Sequence, residues 1–211
     1  SGAVIVANDH ANSLLWQKVN SGAMPQNNTA LPQSQIDLIA LWINEGALEF
    51  PAVVEKTYVP DDNFEQALID LGYDDALDDS VLTANISGVT YLNVSNDSIS
   101  DLTGIENFTA LTELHCSDNQ LTSLDVSSNT ALTFLNCGSN PLDSLDVSSN
   151  TALTTLHCFY NQLTSLDVNS NTALTQLNCG DNQLTSLDVS TNAALSILHC
   201  RTNQLTSLDV S

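Results

Sequence analysis

Positive charge is nearly missing from this chain of 211 residues: 3 Lys and Arg stand against 25 Asp and Glu, for a formal net charge of −22. Phosphate recognition needs a cationic footprint, so nucleic acid is excluded as a partner and docking on anionic lipid is disfavoured. No apolar run approaches the length that crosses a bilayer, so no membrane insertion is expected. No signal peptide is read at the start. HExxH, GxSxG, P-loop and GxGxxG patterns are all lacking, and Lys18, Lys56 and Arg201 lie scattered, so the reading is not an enzyme. There is no CxxC pair for a metal and no even cysteine set for a disulfide framework. Hydrophobic residues make up 42% of the chain, which is enough to build a core.

The cysteines do carry order. They sit at 116, 137, 158, 179 and 200, a constant spacing of 21. Residues 111–131 read LTELHCSDNQLTSLDVSSNTA, and the next three blocks repeat this pattern before a fifth breaks off at Ser211. Each block halves again: Leu111-x-x-Leu114-x-Cys116-x-x-Asn119 is followed by Leu121-x-x-Leu124-x-Val126-x-x-Asn129. The L-x-C and L-x-V stretches alternate as short strands do, and Asn marks the turn after each. The six apolar side chains of one coil are too few to offset the ordering of its backbone, so coils must stack. The expected fold class is mainly β with N-terminal α: a parallel β-solenoid of two-strand coils preceded by a small helical segment.

These residues resemble the leucine-rich repeat family, LxxLxLxxNxL, in a 21-residue form with Cys at one apolar position. The resemblance covers residues 83–211, and the 22-residue stretch 89–110 is similar to internalin-type repeats. Asp61 and Asp62 open a short helix bearing Phe64, Leu68 and Leu71, and residues 57–82 are assigned as the N-terminal cap such arrays need. No C-terminal cap follows, so the array reads as cut off mid-coil. The resemblance implies a binding module for a protein or glycan ligand, a bacterial protein that is secreted, periplasmic or at the cell surface, and a monomer.

Residues 1–50 carry no repeat. Residues 12–20 and 33–45 read as helices, the second with Ile36, Ile39, Ile43 and Ala47 on one stripe, Pro32 at its start and Gly46 at its end. Residues 51–60, with Pro at each end, read as an extended linker. The pattern NSLLWQKVNSGAMP…IDLIALWINEGAL is similar to the C-terminal half of small c-type cytochrome domains, over residues 7–48. That resemblance implies Met24 as a haem axial ligand, but only if a CxxCH lies upstream. The chain contains none, so no cofactor is expected in it. The alternative reading is therefore a haemless fragment of an electron-transfer cytochrome fused to a repeat tail.

Three columns could do chemistry. The cysteines are read as reduced core thiols, since stacked side chains point the same way. Asp125, Asp146, Asp167, Asp188 and Asp209 recur outward in L-D-V. Like charges spaced about 4.8 Å apart repel, so either neighbouring hydroxyls or calcium must answer them. The third column is the outward face of the Cys strands, where the repeats differ most: Glu113, Phe134, Thr155, Gln176 and Ile197, with His115, Asn136, His157, Asn178 and His199 beside them. Just beyond lie Ser117-Asp118, Gly138-Ser139, Phe159-Tyr160, Gly180-Asp181 and Arg201-Thr202. Aromatic side chains among varied positions point to partner recognition. The candidate ligand face is therefore Glu113, His115, Phe134, Asn136, Thr155, His157, Phe159, Tyr160, Gln176, Ile197 and His199.

Overall fold

The computed structural model describes residues 9–20, 31–47 and 54–210. Two units are distinguished, Ser1–Val54 and Glu55–Ser211.

The first unit contains helices α1 (Leu14–Asn20) and α2 (Gln33–Asn44). Pro32 precedes α2 with φ −55° and offers its carbonyl to the N–H groups of Gln35 and Ile36. The helix stops where Gly46 takes φ +100°, a conformation glycine adopts without penalty. Ile36 and Ile43 are buried, while Ile39 and Ala47 on the same stripe are half-buried. Met24 lies outside the described residues.

The second unit begins with strand β1 (Lys56–Tyr58), antiparallel to β2 (Ser80–Leu82), with helix α3 (Asp62–Asp70) between them and α4 (Thr83–Ile86) after. The stretch read as a linker thus contains strand β1, and Val59 within it is fully buried. Proline at each end suggested extension, but the pairing partner lies some 24 residues downstream and leaves no local signal. Asp61 caps α3 by accepting from the N–H groups of Asn63 and Phe64, both at 3.0 Å. Phe64 and Leu68 of this helix enter the core, whereas Leu71 is exposed. Glu65 is buried as well, and its carboxylate accepts from the N–H groups of Asp78 and Ser80 and so holds the following loop.

The array follows. Strands β3 (Tyr91–Asn93), β4 (Glu113–His115), β5 (Phe134–Asn136), β6 (Thr155–His157), β7 (Gln176–Asn178) and β9 (Ile197–His199) form one parallel six-stranded sheet. Its register advances one coil per strand, so Leu114 faces Leu135 and Leu135 faces Leu156. The opposite edge is looser than two full strands per coil. There β8 (Ser186–Asp188) pairs with β10 (Ser207–Asp209), while the same three positions of the described coils before them run as irregular chain.

Two asparagine columns stitch the coils. Asn140 donates to the carbonyl of Cys137 in its own coil at 3.1 Å and to that of Cys116 in the coil before at 3.0 Å. Its oxygen accepts from the Leu121 N–H at 3.0 Å. Asn161 and Asn182 repeat the same pattern one and two coils on. In the second column, Asn150 donates to the carbonyls of Val126 and Asn129, as Asn171 does to Val147 and Asn150. In both columns the amide nitrogen serves backbone carbonyls that would otherwise be orphaned at each turn, while in the second column the Oδ1 atoms of Asn150 and Asn171 are buried and accept nothing. Thr133, Thr154 and Thr175 add hydroxyl bonds to the preceding coil's threonine carbonyl at 3.0 to 3.1 Å.

Candidate functional site

Inward residues of the sheet are fixed by the core: Leu114, Leu135, Leu156 and Cys116, Cys137, Cys158 are fully buried. The five cysteines are all unpaired. Burial pushes the Cys137 and Cys179 thiols up to about 12, and those of Cys116 and Cys158 well above their ordinary value. They are packing groups in this state, since the thiolate is the reactive form.

Outward residues lie in two columns, and rings run between them. Tyr91 meets His115 at 5.2 Å between ring centres, and His115 stacks on Phe134 at 4.6 Å with 27° between planes. Phe134 meets His157 edge-on at 5.6 Å, His157 meets Phe159 at 6.4 Å, and Phe159 meets Tyr160 edge-on at 5.9 Å. Six rings thus make one continuous contact chain across the sheet, each spacing within the range of favourable aromatic pairs. Partial burial lowers the His157 imidazole's affinity for a proton, and His199 and His115 act in the same direction. Glu113 Oε2 sits 4.0 Å from His115 Nε2.

Sequence reading named His115, Phe134, His157, Phe159 and Tyr160, and the structure brings these together. Thr155, Gln176, Asn136, Asn178, Ile197 and His199 occupy the same outward columns without joining the ring chain. Tyr91 was missed. It stands one 22-residue step before Glu113 in the register, outside the 21-residue frame.

Phe159 and Tyr160 are held differently from their equivalents in other coils. A Cβ placed on Gly138 would fall 2.6 Å from the Phe159 ring, so only glycine lets that ring lie down on the preceding coil. Tyr160 takes φ +49°, in a column of left-handed residues otherwise occupied by Asn96, Asp118, Ser139, Asp181 and Thr202. Asn and Asp enter that region readily, while a bulky aromatic residue there is strained.

The aspartate column answers its own repulsion locally. Asp125, Asp146, Asp167 and Asp188 each accept from the N–H two residues on, at 2.9 Å. Hydrogen bonds from Ser127 and Ser148 hold the Asp125 and Asp146 carboxyls below the usual range. Asp209 occupies the matching place in β10. Among the described residues, no three His, Cys, Asp or Glu side chains are gathered as a metal-ion site.

Residues 109–150 match the family model of leucine rich repeats. The array is a parallel β-solenoid consistent with a leucine-rich-repeat fold. It is similar to the functional domain of InlJ from Listeria monocytogenes, whose solved structure is described as including a cysteine ladder. That likeness has a TM-score of 0.66 and 42% identity, covering 74% of this chain and 38% of that one. Internalin J of Listeria monocytogenes serotype 4b (strain F2365) is 44% identical over 72 residues, 34% of this chain and 8% of that protein. The chain therefore spans well under half the length of either. An internalin C2 structure from the same species has the same fold, with a TM-score of 0.52 and 20% identity over 74% of this chain and 92% of that one. None of these likenesses lends support to the cytochrome resemblance of residues 7–48.

Proposed function

We propose that the leucine-rich-repeat array is a non-catalytic recognition module, and that its ligand, a protein or glycan, is read on the outward face of the Cys-strand sheet. The observation that carries this reading is the unbroken run of rings from Tyr91 to Tyr160 across neighbouring strands. Aromatic residues give large, rigid contact area at low entropic cost and dominate binding energy at interfaces. The opposite edge repeats SLDVS almost unchanged, as scaffolding would. The excess of 25 acidic over 3 basic residues supports partners other than nucleic acid. The module works as a monomer outside the bacterial cytoplasm, secreted, periplasmic or at the cell surface, in keeping with the internalin likeness. Among the described residues, no helix is long and apolar enough to cross a membrane.

The experiment is a binding comparison of the wild-type chain with Phe134→Ser and with the double variant Phe159→Ser, Tyr160→Ser, against a displayed peptide library and a glycan array. Loss of about tenfold or more in affinity, on the order of 1.4 kcal/mol, supports the face. Ligands that bind all three proteins equally would put recognition elsewhere.

A further inference from the structure

Beyond the ring chain, the sheet face opens into a slot of about 600 Å³ bounded by Phe159 and Tyr160 on one side and by Asp181 and Arg201 on the other, with Asn178 and His199 along its length. Leu198 and Cys200 complete the lining, and Gly180, one coil after Phe159, adds no side chain beside Arg201 and Asn178. Arg201 Nε lies 3.5 Å from Asp181 Oδ2, and three-quarters of the arginine side chain remains exposed, leaving guanidinium donors for a ligand. Resting on the reading of this face as the ligand surface, we propose that the slot is a subsite for one uncharged sugar ring of a glycan.

The chemistry of the walls selects that class. The volume lies within the range of small-molecule sites. On its aromatic wall the Phe159 ring is seated on Gly138 and meets the Tyr160 ring edge-on before anything binds. A preformed wall spares the ligand the cost of ordering it. The facing wall is an ion pair, neutral as a unit, so it offers a ligand no net charge to match, and the chain's charge of −22 disfavours an anion. A pyranose suits both walls at once. Its C–H face lies on an aromatic ring, and each hydroxyl both donates and accepts, so adjacent hydroxyls can bridge the Asp181 acceptor and the Arg201 donors. The Asn178 amide and His199 ring offer the same mixed capacity at the rim.

The diagnostic substitution is Gly180→Leu. A Cβ at Gly180 meets nothing closer than 3.4 Å and the residue has no left-handed φ, so the backbone accepts a side chain there while the slot is blocked. The probes are the methyl glycosides of glucose, galactose, mannose and N-acetylglucosamine at tens of millimolar, read by saturation-transfer NMR. The full chain is used, with thermal melts run alongside. Saturation transfer to the ring C–H protons of at least one glycoside is expected, falling about tenfold or more in Gly180→Leu and in Asp181→Asn. Absence of transfer for all four overturns the subsite. Transfer that persists in Gly180→Leu while disappearing in Phe134→Ser also overturns it, but leaves the sheet face as the ligand surface. Transfer indifferent to both variants overturns slot and face together.

Discussion

Asp61 holds Ser100: one carboxylate oxygen caps helix α3, and the other accepts from the Ser100 N–H at 2.8 Å, its hydroxyl at 2.7 Å and the Asp101 N–H at 3.0 Å. A single side chain thus joins helix α3 to the segment between β3 and β4. Burial alone would raise this carboxyl, but the bonds from Ser100, Phe64 and Asp101 outweigh it and hold its pKa below the ordinary carboxylate value. Asp61→Ala is expected to cost about 1–3 kcal/mol, from a lost helix cap and stranded donors. The stabilisation is complete above the unfolded-state pKa of about 3.9 and fades as pH falls through the lower folded-state value. Denaturant titrations of wild type and Asp61→Ala should therefore differ at neutral pH and converge in strong acid.

The asparagine clamp gives a second expectation. Asn161→Ala would strand the Leu142 N–H and loosen the carbonyls of Cys137 and Cys158, all in the interior. A loss of about 2–5 kcal/mol is expected, in line with a broken buried network. Gln162→Ala, at the exposed neighbouring side chain, is the control and should fall within about 0.5 kcal/mol of wild type. Guanidinium melts separate the two.

Thiol chemistry should report the fold. With Cys137 and Cys179 pushed up to about 12 by burial, almost no thiolate exists near neutral pH and reagents have no access. Cys200, half-buried on the last coil, is expected to react first with a disulfide reagent. The other four should become reactive together on unfolding. Stoichiometric labelling of all five in the native protein would show the column to be open.

Tyr160 sets stability against recognition. Tyr160→Asn keeps the left-handed backbone that asparagine tolerates and removes the strain of an aromatic residue there, worth roughly 1 kcal/mol. The expected result is a melting temperature raised by a few degrees alongside weaker ligand binding on the sheet face. A lowered melting temperature would mean that the Phe159 contact outweighs the strain.

Calcium offers a further check. Four of the five column aspartates already spend an oxygen on the N–H two residues on. Millimolar calcium, followed by EDTA, is expected to leave the melting temperature unchanged, and a reversible rise would return the aspartates to the list of ion ligands.

The solenoid was legible because burial acts on it every 21 residues: Leu, Cys and Asn return wherever the interior or a turn demands them. Helix α3 was legible through Asp61, a local capping signal. Strand β1 was not, since Lys56–Tyr58 is defined by pairing with Ser80–Leu82 rather than by its own three residues. The ring chain was half legible. Phe134 and Phe159 stood out by varying between coils, but Tyr91 belongs to a coil one residue longer, and only the register places it beside His115. The Arg201–Asp181 pair spans two coils, and Tyr160's backbone angle leaves no trace in composition. Nor did the sequence separate the full Cys-side sheet from the sparse edge behind it, because both halves carry the same template.

The clamp formed by Asn140, Asn161 and Asn182 reaches only from one coil to the last, and its partners are the same at every step. Removing or adding 21 residues therefore leaves every bond of this clamp with an equivalent mate, whereas removing 20 would strand donors along the new seam. The molecule can change its span by whole rungs of about 4.8 Å with little penalty at the joint. The asparagine clamp leaves the outward side free to vary from rung to rung, except where a large ring needs a glycine beneath it, as Phe159 needs Gly138.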